Sequence, residues 1–260
     1  MYSKPVTPLP VGAIIEDASR LYRAAFRRSL VIAVLGALVS AAFELFVLAY
    51  AHRAGLPLTG LDALLQTYQQ PPVMALSLLE TVVLLGLFGG LIVTANAVAA
   101  GDTRLTTGQA ISIGFTRLGR CVLAALLSSL LILLGLLLIV PGLYLSGALA
   151  LWPAAMYVDD AGALQSLEVS RRAVHGHWWH TSTALGVALL IVLLFSLLAG
   201  FVAGVLELSA GGQAGDSLMQ LVSVLADVLM LPMLPAALVA LYNDLKLRQQ
   251  RPALQRRPGP

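Results

Sequence analysis

The sequence predicts an all-α integral membrane protein: six transmembrane helices, with three amphipathic helices lying in the plane of one membrane face. Three observations carry that expectation. Only 11% of residues are charged against 58% hydrophobic, whereas soluble domains carry about 25% charged residues. Mean hydropathy is +0.87, and the apolar residues gather into runs long enough to cross a hydrocarbon layer of about 30 Å. Every Lys and Arg except Arg53 falls in the segments that alternate onto one side of those runs.

The elements follow in order. Residues 1–10 hold three prolines, Pro5, Pro8 and Pro10, and read as a loose tail. Over 12–28, Ile14, Ile15, Ala18, Leu21, Tyr22, Ala25 and Phe26 recur at helical spacing against Arg20, Arg23 and Arg27. A basic amphipathic helix of this kind lies among headgroups, or else packs on a protein partner. Residues 1–28 are polar and basic for too long to be a secretory signal. The first span is 29–51 and carries Glu44; the loop 52–72 follows, with a short helix at 61–68. The second span, 73–100, carries Glu80 and Asn96.

Residues 101–120 turn polar and basic again. Ile111, Phe115 and Leu118 make a stripe opposite Ser112, Thr116 and Arg120, which gives the second in-plane helix. The third span is 121–140. Pro141 and Gly142 form a structural hinge that reverses the chain into the fourth span, 143–158. That run is short and contains Pro153, so a kinked or partly re-entrant helix also fits. Residues 159–180 give the third in-plane helix, closed by Trp178 and Trp179 as interfacial anchors. The fifth span, 181–207, reaches a Gly-rich turn at 209–217. The sixth, 218–242, carries Asp227, Pro232 and Pro235, and a basic tail, 243–260, closes the chain.

Charge placement orients these spans. Lys4, Arg20, Arg23, Arg27, Arg28, Arg104, Arg117, Arg120, Arg171, Arg172 and the tail cations share one side, which puts both termini in the cytoplasm. A weak repeat accompanies the pattern, each unit running from a Gly to an Arg: Gly12 to Arg20, Gly108 to Arg117, Gly162 to Arg171. It reads as three copies of one unit or as the common need of any membrane hairpin.

Pro141-Gly142-Leu143-Tyr144, the acidic pair Asp159-Asp160, and Leu167, Ser170, Gly176 and Trp178 form one group of motif residues. Leu241-Tyr242-Asn243-Asp244-Leu245 with Arg248 form a second. Together they resemble the membrane domain fused to some glycerophosphoryl diester phosphodiesterases, and the stand-alone bacterial inner-membrane proteins of the YciC-like type. The resemblance implies six spans and an inner-membrane address. It implies no catalytic residue, since the phosphodiesterase chemistry of such fusions belongs to a separate soluble domain.

Glu44, Glu80 and Asp227 are the candidate ion- or substrate-binding residues. An ionised acid in hydrocarbon is costly, so such groups face the bundle interior, partnered or neutral. All three are expected at one depth, lining an outward-open cavity for protons or a cation, or else neutral and hydrogen-bonded to backbone or to Ser and Thr on other helices. His175, His177 and His180 are read as part of an interfacial belt, with no metal site expected, and Cys121 as a buried small residue. The spacings Gly86/Gly90 and Gly200/Gly204 suit close helix packing.

No HExxH, Gly-x-Ser-x-Gly or P-loop signature occurs, and no cofactor is expected. The basic residues track a membrane face, which disfavours nucleic acid. The expected partners are membrane lipids through their anionic headgroups, and a protein partner or second copy. The sequence thus points to a non-enzymatic inner-membrane protein in envelope homeostasis or scaffolding. The alternative is a small secondary transporter or ion pathway, with a lipid-modifying enzyme third.

Overall fold

The computed structural model describes residues 2–56 and 60–255, all of whose regular structure is helical. Loop residues 57–59 and the tail cations Arg256 and Arg257 lie outside the described residues. In chain order the helices are α1 (Val11–Arg53), α2 (Leu61–Tyr68), α3 (Pro71–Ala99), α4 (Thr107–Thr116), α5 (Leu118–Leu136), α6 (Val140–Leu149), α7 (Trp152–Asp159), α8 (Ala163–Val174), α9 (Trp178–Ala210), α10 (Gly212–Met230) and α11 (Met233–Gln255). Five stretches are long and apolar enough to cross a membrane: α1, α3, α5, α9 and the joined run Ser217–Gln250 across α10 and α11. The protein is a multi-pass membrane protein.

The first departure from expectation is α1. The amphipathic segment 12–28 is no separate in-plane helix; it continues without a break into the span 29–51. Nothing between Gly12 and Gly36 breaks a helix, so the change in polarity at Arg27 and Arg28 does not end one. Its apolar face meets protein instead of lipid: Ile14 and Leu21 are buried, in cores that also contain residues of α11 and α9 or α3. The other two short helices stand apart as expected. α4 opens on a capping box, with Thr106 and Gln109 each satisfying the other's backbone N–H. At the head of α8 the Gln165 side chain accepts the Gly162 N–H at 3.3 Å.

The hinge is also relocated. The reversal after α5 turns on Ile139, at φ 56°, with the Val140 N–H donating to the Leu138 carbonyl at 2.6 Å. That is a γ-turn with positive φ at its centre, a strained choice for a β-branched residue. Pro141 sits in the first turn of α6, where its missing N–H costs nothing. Gly142 lies inside α6, where a Cβ would strike the Leu136 backbone. Proline starts the helix and glycine lets α5 and α6 close together; neither makes the turn.

The expected fourth span, 143–158, is two helices, α6 and α7, separated at Ala150 and Leu151. Ser170 of α8 closes the break: its hydroxyl donates to the Ala148 carbonyl at 2.9 Å and accepts the Leu151 N–H at 3.1 Å. The sixth span is broken too, at Leu231 and Pro232, where the Tyr22 hydroxyl donates to the Leu229 carbonyl at 2.9 Å. Polar partners from neighbouring helices are what permit such breaks at membrane depth. Two smaller differences complete the comparison. The Gly-rich turn contracts to Gly211 and Gly212, both at positive φ, and the expected tail from 243 continues α11 as far as Gln255.

Small residues set the closest crossing. Gly114 of α4 rests on the backbone of Gly86 and Gly90 of α3, and the Tyr157 ring covers Gly89 beside them. Gly200 and Gly204 have no such neighbour among the described residues.

Candidate functional site

Polar side chains gather in two places. Toward the far end of α1, opposite its arginines, are the three sequence-selected acids. Glu44 of α1 is exposed, while Glu80 of α3 and Asp227 of α10 are half-buried. The fold brings them into one neighbourhood with Glu44 at its centre, within electrostatic reach of both others. The Gln220 amide donates to Glu44 at 3.4 Å, and Ser40 of α1 partners Glu80, the serine contact from another helix that the alternative to an ion cavity expects.

Leu84 and Leu231 both approach Gly36 of α1, and Glu80 and Asp227 each lie one helical turn before those leucines, which sets the two acids at similar levels along α1. Beside the acids lies a cavity of about 310 Å³, apolar but for Thr81, lined among others by Gly36, Leu84, Phe88 and Leu231.

The second gathering is at the opposite, basic end and draws on residues that sequence motifs singled out. Asp159 accepts the Tyr242 hydroxyl at 2.6 Å and pairs with Lys246. Its neighbour Asp160, a left-handed residue closing α7, pairs with Arg117 at 3.1 Å and Arg120 at 3.3 Å. Arg117 also donates to the Met156 carbonyl at 3.1 Å, one of the free carbonyls at the end of α7. The acidic pair thus splits, one member holding α11 and the other the α4–α5 junction.

Asp244 is the most enclosed of these acids, its side chain 4% exposed. It accepts the Leu9 N–H at 2.6 Å and the Arg248 Nε at 2.7 Å, with His180 Nε2 at 3.3 Å. Arg248 reaches on to the Leu9 carbonyl. One carboxylate therefore ties the N-terminal segment, α9 and α11 together. Asp17, buried in α1, accepts the Tyr2 hydroxyl at 2.9 Å. Burial and then that hydrogen bond push the Tyr2 phenol well above its usual range.

The two tryptophans divide their work. The Trp178 Nε1 donates to the Tyr144 carbonyl at 2.9 Å and its ring stacks on Tyr144 at 6.1 Å, fixing α9 to α6. Trp179 is 79% exposed, the disposition of an interfacial anchor. Cys121 is buried, as expected. Among the described residues no three His, Cys, Asp or Glu side chains are placed to hold a metal ion. Sequence reasoning missed Leu9, Tyr2, Asp17, His180 and Arg117 as members of the basic-end network. Only the density of polar residues near both termini hinted at it.

Comparison with known proteins adds one relative. A UPF0259 membrane protein of Photorhabdus laumondii is 40% identical over 85 residues, 32% of this chain and 33% of that protein. The chain is a distant, partial homologue of the UPF0259 (YciC-like) membrane proteins. The match spans about a third of the relative's length. No family model and no solved structure matches the chain.

Proposed function

We propose that this chain is a non-catalytic inner-membrane protein that crosses the bilayer six times with both termini in the cytoplasm. Its cytoplasmic end contacts anionic headgroups or a protein partner in envelope homeostasis or scaffolding. One observation carries the non-catalytic reading: Asp159 and Asp160 are consumed by donors from other helices, and Asp244 by Leu9, Arg248 and His180. Groups held this way fasten elements together and leave no free base beside a nucleophile. The sixth crossing rests on α6 and α7, which together measure about 27 Å, close to the hydrocarbon thickness.

A second reading is favoured by the approach of Glu80 and Asp227 to Glu44: a proton or cation pathway through the far half of the bundle. Reconstitution into vesicles separates the two. The first expects no proton, sodium or potassium flux above empty vesicles. It also expects a deletion strain to be rescued equally by the wild type and by Glu44→Gln, Glu80→Gln or Asp227→Asn. Flux that those substitutions abolish, with expression unchanged, replaces it by the second. Impermeant labelling at position 60 and at the C-terminus tests the threading, since only position 60 should react in intact cells.

A further inference from the structure

Residues 2–9 form a strap folded back over α1. It is fixed at one end by Leu9 on Asp244 and Arg248, and at the other by the Tyr2 hydroxyl on Asp17. Between strap and helix is a cleft of about 840 Å³, whose lining includes Lys4, Arg20 and Arg23 and, among the described residues, no carboxylate. The hydroxyl residues Tyr2, Ser3 and Thr7 complete its polar wall.

The charges in this cleft are poorly answered by the protein itself. Arg20 meets Glu16 and Asp17 only at 3.5 Å each. Arg23 donates through its Nε to the Ser19 carbonyl at 3.4 Å and has no carboxylate partner among the described residues. Lys4 has no ion pair among them; partial burial and then the nearby Lys246 ammonium push its own ammonium below the usual range, against a partial opposing pull from Asp159. Two cations without an ion pair among the described residues, Lys4 and Arg23, thus stand beside Arg20, whose carboxylate contacts are long. This surplus around a polar cleft calls for an anion.

The geometry of the donors narrows the class. Two guanidinium forks and an ammonium, flanked by hydroxyls, suit the tetrahedral, multiply accepting oxygens of a phosphate better than a lone carboxylate. The volume exceeds what a bare ion fills and falls in the range of small-molecule sites. We infer that the cleft between residues 2–9 and α1 binds a phosphate-bearing anion through Lys4, Arg20 and Arg23. The same chemistry is offered by an anionic phospholipid headgroup and by a free phosphate. The inference deepens the headgroup contact proposed above, and rests on that reading for the lipid source alone.

The test uses the full chain purified in neutral detergent, titrated with phosphatidylglycerol or phosphatidylcholine and read by native mass spectrometry. A parallel titration uses inorganic phosphate as competitor. Wild type is expected to favour phosphatidylglycerol. Arg23→Gln is expected to weaken that binding roughly tenfold, the equivalent of one charge-assisted contact, with Lys4→Gln acting in the same direction. Lys4 lies in the extended strap, so its substitution leaves the helices intact even if Arg23→Gln disturbs folding. Arg104→Gln, on the same face outside the cleft, is the control and should bind as wild type.

Displacement of the lipid by inorganic phosphate supports the site and assigns it to a free phosphate; retention of the lipid assigns it to the headgroup. Wild-type binding by both Arg23→Gln and Lys4→Gln overturns the inference. If Arg104→Gln weakens binding as much as Arg23→Gln, the attraction belongs to the whole face, and the site falls while the headgroup reading stands. If neither phosphatidylglycerol nor phosphate binds in preference to phosphatidylcholine, both fall.

Discussion

Replacing Asp244 by Asn removes the charge at the centre of the basic-end network while keeping its shape. The amide oxygen can still accept the Leu9 N–H, but Arg248 then loses its counter-ion in a site where its own side chain is 21% exposed. Breaking a fully buried pair costs roughly 3–5 kcal/mol. Partial solvent access to Arg248 lowers that to about 2–4 kcal/mol. In a chain of this size each kcal/mol shifts the melting temperature by about 2–4 °C, so the variant should melt about 5–15 °C below wild type.

Two assays report on it. Thermal unfolding in detergent gives the shift, and hydrogen exchange across residues 2–10 reports the strap, whose Leu9 amide is expected to exchange faster as its acceptor weakens. Adding Arg248→Gln should recover part of the loss, because no uncompensated charge then remains. An Asp62→Asn control, at an exposed position, should stay within about 0.5 kcal/mol. A melting point for Asp244→Asn within about 1 °C of wild type, with Leu9 exchange unchanged, would refute the view that this carboxylate fastens the terminus to the bundle.

Other substitutions test the remaining joints. Gly114→Leu drives a side chain into the backbone of Gly86 and Gly90, at a cost of about 1–3 kcal/mol. It should speed tryptic cleavage at Arg117, whereas Gly108→Ala, with open space around it, should not. Ile139→Gly relieves the positive φ and should raise the melting temperature, by up to about 1 kcal/mol of stability; a fall would contradict the γ-turn. Trp178→Phe loses the bond to the Tyr144 carbonyl and should cost about 1 kcal/mol. Trp179→Phe, at a side chain largely free of the protein, should leave thermal stability in detergent unchanged.

The long apolar runs were legible because hydrocarbon thickness dictates their length. α3, α5 and α9 begin and end within a few residues of the expected limits, and α2 lies where expected. Pro232 carried a signal for the break in the last span, although 218–242 reads as one continuous run. The unbroken course of α1 was legible in principle from the lack of any helix breaker between Gly12 and Gly36. It was obscured because a cluster of arginines normally marks the edge of a bilayer. The turn at Ile139 was not legible, since Pro141 and Gly142 carry every local signal for a reversal and Ile carries none.

Site legibility follows the same divide. Glu44, Glu80 and Asp227 were conspicuous as charges in apolar runs, and their approach in space followed from sharing one half of the membrane. The network around Asp244 joins Leu9, His180 and Arg248; the first two lie 235 and 64 residues away along the chain. Pairings over such separations are products of tertiary packing, and no local pattern encodes them.

The continuity of α1 makes it a rod of about 65 Å. Near one tip it carries the guanidinium groups that wall the strap's cleft; about 32 Å further along stands Glu44 among its fellow acids. Without a joint between them, the two regions are mechanically one body. A tilt of about 5° around the rod's midpoint swings each tip by about 3 Å, roughly the length of a hydrogen bond. A tilt of α1 at the strap's end would therefore be carried to Glu44, with no relay of intervening side chains required.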